Sequence, residues 1–252
     1  MSNDISNLLD DWEYDPEKAI RLITAEDGRE VMQVRLPLGL EQYELSGRPD
    51  GGHPFGRGSM LEEVESRLEA FRTEHESEDG FTIDHDLFVL LQNEGILFYY
   101  RYLLLFQIGD YERTARDTAH NLKLCALAEK HCEEDADRKS LLQYKPYILR
   151  INALSRSMVS LSNDRKTEAL DIIEDAIRQI KSFEDIDTQL FKWERHRSLD
   201  HLADTLKRLK EHKLSRRDEL QSELQQAVDS EDYERAVEIR NEISMLRQKG
   251  DE

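Results

Sequence analysis

A chain of 252 residues with 38% hydrophobic content can bury one sizeable core and a small second module. Its 54 acids against 35 bases leave a formal net charge of −19, which argues against a general nucleic-acid binder because phosphate contacts need a positive surface. The first eleven residues lack the basic start and apolar centre of a secretory signal.

Asp15 as cap and Pro16 at the first helical position predict a short helix over residues 12–23. A period-two signal follows, in which Met32, Val34, Leu36, Leu38 and Leu40 alternate with Gln33, Arg35, Pro37 and Gly39. Pro37 and Gly39 divide it into two strands, the second over residues 41–45, and Pro37 assigns its neighbourhood to a sheet edge. The expected element is a small β-hairpin or meander, too small to stand alone, lying on the helices that follow or pairing with another chain. Residues 47–58 hold five of the eleven glycines and two of the five prolines and read as a loop. Ser59 and Glu62 then supply the Ser-x-x-Glu capping box of a helix over residues 60–71, with Leu61, Val64, Leu68 and Phe71 on its apolar face.

Asp84 caps a long helix over residues 85–108 whose apolar side chains occupy most faces, as in the buried spine of a domain. Gln92, Asn93, Glu94, Arg101 and Gln107 within it argue against a membrane span. Gly109 and Asp110 end it, and a second helix runs from Tyr111 toward His131. Further helices are expected over residues 141–161, 165–183 and 190–213. The run from Leu104 to Thr114, with Gly109, Asp110 and Tyr111 at the turn, resembles the turn of a tetratricopeptide repeat, although the first helix lacks the small residues that let neighbours approach closely. Ser162, Asn163 and Asp164 repeat that layout.

The fold class expected is mainly α. A segment over residues 1–58 carries the β-hairpin and glycine-rich loop, residues 59–213 form a tetratricopeptide-like helical array, and residues 214–252 form an antiparallel helical hairpin.

No constellation of catalytic residues is visible, and no cofactor or metal is expected. Gly51, Gly56 and Arg57 fall where a phosphate-binding loop would place Gly, Gly and Lys, but Arg57 replaces the lysine and Gly58 the magnesium-holding Ser or Thr. Asp84 and Asp86 read as a cap and a first-turn acid beside an exposed His85, and metal or acid–base chemistry there would need more convergent groups. His120, Cys125, His131 and Cys132 lie on one helix and cannot wrap a tetrahedral ion without distant help. The two cysteines read as reduced thiols, which fits a cytoplasmic protein.

Residues 192–217 carry nine Lys and Arg against four acids, a local net of +5. Lys192, Arg195, Arg197, Lys207, Arg208 and Lys210 are the candidates for phosphate contact, with docking on an acidic surface of the same or a second protomer as the preferred reading.

After them, Leu220, Leu224, Ala227 and Val228 recur at helical spacing, and so do Tyr233, Val237, Arg240, Ile243 and Leu246. Ser230 is the expected cap of the second helix, with Glu231, Asp232 and Glu234 in its first turn and Gly250 as its stop. With the Asp-Tyr-Glu-Arg-Ala block at residues 232–236, residues 214–250 resemble the UvrB/UvrC motif, or UVR domain. One departure is Asn241, where the family often has Asp. The resemblance implies an antiparallel hairpin that binds another protein or a second copy of itself, without catalysis. It implies partner-binding roles for Leu220, Leu224, Val228, Tyr233, Arg235, Val237, Arg240, Ile243 and Leu246. The motif occurs in excision-repair nuclease subunits and in regulators of Clp-type proteases. The expected function is therefore a protein-interaction adaptor or scaffold, and the alternative is an excision-repair accessory touching nucleic acid through residues 192–217.

Overall fold

The computed structural model describes residues 4–211 and, beyond them, 220, 223–224, 227–228, 232, 235, 237–240 and 242–243. The chain is mainly α, with a small antiparallel sheet near its start. It divides into two compact units, Met1–Lys145 and Pro146–Glu252. Among the described residues, no helix is long and apolar enough to cross a membrane.

In the first unit, a short α1 (Ser6–Asp10) precedes the strands β1 (Ile20–Thr24), β2 (Glu30–Leu36) and β3 (Gly39–Glu44), which pair in the order β1-β2-β3. The β2–β3 hairpin has the expected position, with Leu36 opposite Gly39 across a two-residue turn. Two expectations are corrected. The alternating leucines outrun the strand, so Leu38 lies at the turn with 92% of its surface exposed while Met32 and Val34 are buried. Pro37 is in that turn, which joins the central strand β2 to the edge strand β3. Residues 12–23 are not helical: Asp15 closes a single turn, with Lys18 N–H donating to its carbonyl, and residues 20–24 form a strand. The cause is Arg35, whose Nε donates to the Trp12 carbonyl at 2.8 Å and whose backbone N–H donates to Ala19 at 2.7 Å. Tertiary bonds hold this segment extended and override its local cap signal.

The sheet lies on the helices as expected, through a cluster of Met32 and Leu45 with Leu105. Four helices complete the unit: α2 (Met60–His75), α3 (His85–Gln107), α4 (Tyr111–His131) and α5 (Asp135–Leu142). The first two start where their expected caps place them, and the third starts at Tyr111 as expected, with Ser59, Asp84 and Asp110 each accepting from the N–H three residues on. The capping box is displaced by one residue, because Glu62 reaches the N–H of Gly58. Gly109, at φ +79°, provides the left-handed residue that ends α3 before Asp110 starts α4. Helix α5 lies largely outside the range expected for the next helix. Its Leu142 is buried and Leu141 packs on the core of Met60, Val64, Phe88, Leu91, Leu124 and Ala128.

Two charges at the centre of α3 organise these pieces. The Glu94 side chain is fully buried and accepts from Met60 N–H at 2.7 Å, Leu61 N–H at 3.0 Å, Arg48 Nη1 at 3.0 Å and His120 Nε2 at 3.1 Å. Its carboxylate therefore meets the positive end of α2. Two turns later, the equally buried Arg101 makes a two-pronged pair with Asp117 of α4 at 2.6 and 2.8 Å and donates to the Glu44 carbonyl of β3 at 2.6 Å. Between them Gly95 lets α4 come close, since a Cβ there would stand 3.3 Å from Leu124, and Asn121 donates to its carbonyl. The small residue expected to be lacking is thus present.

The second unit holds α6 (Lys145–Ser162, from its second residue), α7 (Lys166–Ser182) and α8 (Gln189–Glu211). Ala169, Ile173, Ala176 and Ile180 form the buried stripe of α7, and Phe191, Glu194, Ser198 and Leu202 that of α8.

Burial opposes the charge of Glu94, but the bonds from His120 and the two α2 amides outweigh it and hold its carboxyl below the ordinary range. A lowered carboxyl value stabilises the fold above about pH 5, and that contribution disappears as the pH falls through the ordinary and then the folded value. Glu94→Gln is expected to cost about 3 kcal/mol at neutral pH. Urea unfolding followed by circular dichroism checks it, with the difference from the parent shrinking toward pH 3.

Candidate functional site

Of the described C-terminal residues, 220, 223–224 and 227–228 are helical, and so are 235, 237–240 and 242–243. Leu220, Ala227 and Ile239 are buried against one another, with Leu224 and Ile243 packed around them. Arg235 reaches across to Glu223 at 3.4 Å and pairs with Glu238 at 3.0 Å. The turn is closed by Asp232 N–H donating to the Ala227 carbonyl at 2.8 Å, while Asp232 Oδ1 accepts from Arg235 N–H at 3.1 Å. Asp232 is thus a cap rather than the first-turn acid expected of it, and Ser230 lies outside the described residues.

This antiparallel hairpin has an inside and an outside. Leu220, Leu224 and Ile243 are brought together inside, joined by Ala227 and Ile239, which the partner-binding set did not include. Ile239 stands four residues before Ile243, a spacing that marks it for the same stripe. On the outside, Val228 is 42% and Val237 56% exposed, and Arg235 and Arg240 are exposed beside them. Tyr233 and Leu246 lie outside the described residues.

The basic residues of α8 are largely met by acids of their own unit. Lys192 pairs with Asp187 at 2.7 Å, Arg195 with Asp185 at 2.8 Å, Lys210 with Glu174 of α7 at 2.7 Å, and Lys207 approaches Glu211 at 4.0 Å. The bond from Asp187 raises the Lys192 ammonium above its ordinary value. Arg197 stacks over Trp193 at 4.8 Å, and Arg208 has no ion pair among the described residues. A shallow cleft along α8, lined by Trp193, His196, Arg197 and His201, also carries Asp200 and Asp204. Exposed pairs of this kind contribute little stability, but they neutralise the stripe that phosphates would need.

The other sequence candidates are engaged. Gly58 N–H, in the glycine-rich loop, is taken by Glu62, and Arg57 donates to Ser66 at 3.0 Å, so an acid and α2 fill the place of a phosphate. Cys125 and Cys132 are buried, which pushes their thiols up to about 12 and about 11 and leaves them unreactive. His120 is committed to Glu94, and His131 Nδ1 lies 3.3 Å from the Phe81 carbonyl. His85 meets a partner that no local pattern announced: Asp137 of α5, whose hydrogen bond at 2.9 Å raises the imidazole above its ordinary value.

Residues 215–249 match the family model of the UvrB/uvrC motif. A search of curated proteins returns no match, and a search of solved structures returns none.

Leu220→Ala is expected to raise the opening constant of the hairpin by about two orders of magnitude, equivalent to roughly 3 kcal/mol of lost burial. Val237→Ala should leave it within a factor of about three, because an exposed valine contributes little to the fold. Hydrogen exchange of amides 220–243, read by mass spectrometry on the full chain, separates the two.

Proposed function

We propose that the protein is a non-enzymatic interaction adaptor, whose UVR-type hairpin docks another protein or a second copy of itself while its helical hairpins, laid out like tetratricopeptide repeats, act as scaffold. The observation that carries this reading is the division of the hairpin into a closed core of Leu220, Ala227 and Ile239 and an outer surface bearing exposed Val228 and Val237. The match of residues 215–249 to the UvrB/uvrC motif, an interaction element without catalytic groups, supports it.

Because the core is satisfied internally, the outer valines are available for docking without unfolding the hairpin. Burying each is worth roughly 1.5–3 kcal/mol, enough for a transient complex once association costs are subtracted and neighbouring contacts are added. Arg240 and the exposed Arg235 set orientation and partner choice more than affinity. Ion pairing of Lys192, Arg195 and Lys210 within their own unit favours this reading over nucleic-acid contact.

The double variant Val228→Asp, Val237→Asp is expected to reduce partner binding at least about 30-fold, in line with the loss of two buried contacts. Its helix content should be unchanged. Pull-down against immobilised full chain, with sedimentation equilibrium to read self-association, measures this; undiminished binding by both readouts would remove the hairpin's outer face from the account.

A further inference from the structure

The start of α3 and the approach to α5 are fastened by a two-bond bridge: Ile83 N–H donates to the His131 carbonyl at 2.8 Å, and Glu133 N–H to the Ile83 carbonyl at 3.0 Å. The bridge holds His85, two residues beyond Ile83, against Glu134 and Asp137. Those two acids stand three apart at the start of α5, a spacing that turns both toward the same side. One imidazole nitrogen and one carboxylate oxygen from each acid all lie within 4.8 Å of one another. The Asp137 side chain is only 10% exposed, and the partner of its carboxylate among the described residues is His85 Nδ1, at 2.9 and 3.1 Å. A carboxylate offers about four acceptor positions, so one that meets a single ring nitrogen keeps lone pairs for a cation.

We propose that His85, Glu134 and Asp137 form a binding site for a divalent transition-metal ion of the zinc class, joining the start of α3 to the start of α5. The ion takes the place of the hydrogen between His85 Nδ1 and Asp137: an imidazolium releases its Nδ1 proton to solvent, a neutral Nδ1–H ring passes it through solvent to Nε2, and in both cases the ring binds as the neutral Nε2–H form. Metal–nitrogen and metal–oxygen bonds of about 2.0–2.2 Å require ligand atoms roughly 3.4 Å apart. The backbone bridge already holds the ligand-bearing segments near that spacing, and the exposed Glu134 side chain swings to close it. Glu134 and His85 face solvent, so water completes the coordination. An imidazole in the set selects against magnesium and calcium, which take oxygen ligands, and for zinc, copper, iron or nickel. The competing candidates do not converge in this way: Cys125 is fully buried, and His120 serves Glu94. Sequence spacing could not reveal the site because His85 and Asp137 are 52 positions apart and α5 was not expected over residues 135–140.

Isothermal calorimetry of the full chain with zinc chloride, and with calcium and magnesium chloride as comparators, tests the site. The expected result is one zinc ion per chain, a thermal midpoint that rises with zinc but not with calcium or magnesium, and at least tenfold weaker binding in Asp137→Asn and His85→Ala. Glu134→Gln alters an exposed side chain, so it serves as the variant whose folding is not in question, and it should weaken zinc by a similar factor. An absence of saturable zinc binding would overturn the proposal and leave His85 and Asp137 as a simple helix-to-helix hydrogen bond. So would zinc binding that all three variants retain, which would put the ion elsewhere in the chain.

Discussion

The carboxylate of Glu94 is the point on which the first unit depends. Burying a charge costs several kcal/mol unless donors replace the lost water. Here the donors come from separate pieces of chain: two amides at the start of α2, Arg48 in the glycine-rich loop and His120 in α4. Each piece is held because Glu94 needs it, and Glu94 stays ionised because all are present. Arg101 repeats the logic two turns later, tying Asp117 of α4 and the last strand of the sheet to the same helix. A three-stranded sheet and a glycine-rich loop, neither able to stand alone, are thereby fixed to one helical spine.

The hairpin follows a different rule. Its interior is apolar and local, formed by Leu220, Ala227 and Ile239 with Leu224 and Ile243, and its turn is closed by Asp232. That core is built from residues of the hairpin itself, while Val228 and Val237 stay exposed. That separation of an internally satisfied core from exposed apolar positions is what an interaction element requires. The basic helix α8 shows the opposite condition, because its Lys192, Arg195 and Lys210 already face Asp187, Asp185 and Glu174.

What could be read from the sequence was what local chemistry determines. Ser59 and Asp84 mark helix starts because a cap bonds only three residues ahead, and the β2–β3 hairpin shows in its alternation. What could not be read depends on distant partners. Residues 20–24 became a strand because Arg35 and its neighbours bind this part of the chain. Glu94 and Arg101 looked like polar interruptions of an apolar helix, whereas three other segments converge on the first and two on the second. In the hairpin, helical spacing identified the apolar set but not which members face inward, since Leu220 and Val228 sit in the same pattern at 0% and 42% exposure.

The central claim is that partner binding resides in the C-terminal hairpin and is directed at protein. It is tested most directly by quantitative capture with the full chain beside a chain ending at Lys213, reading bound protein and bound nucleic acid in the same eluates. The account predicts a protein partner, a second copy of the chain included, that is bound by the full chain and lost on truncation, with no nucleic acid retained by either. A partner held equally by the truncated chain, or nucleic acid retained through α8, would contradict it.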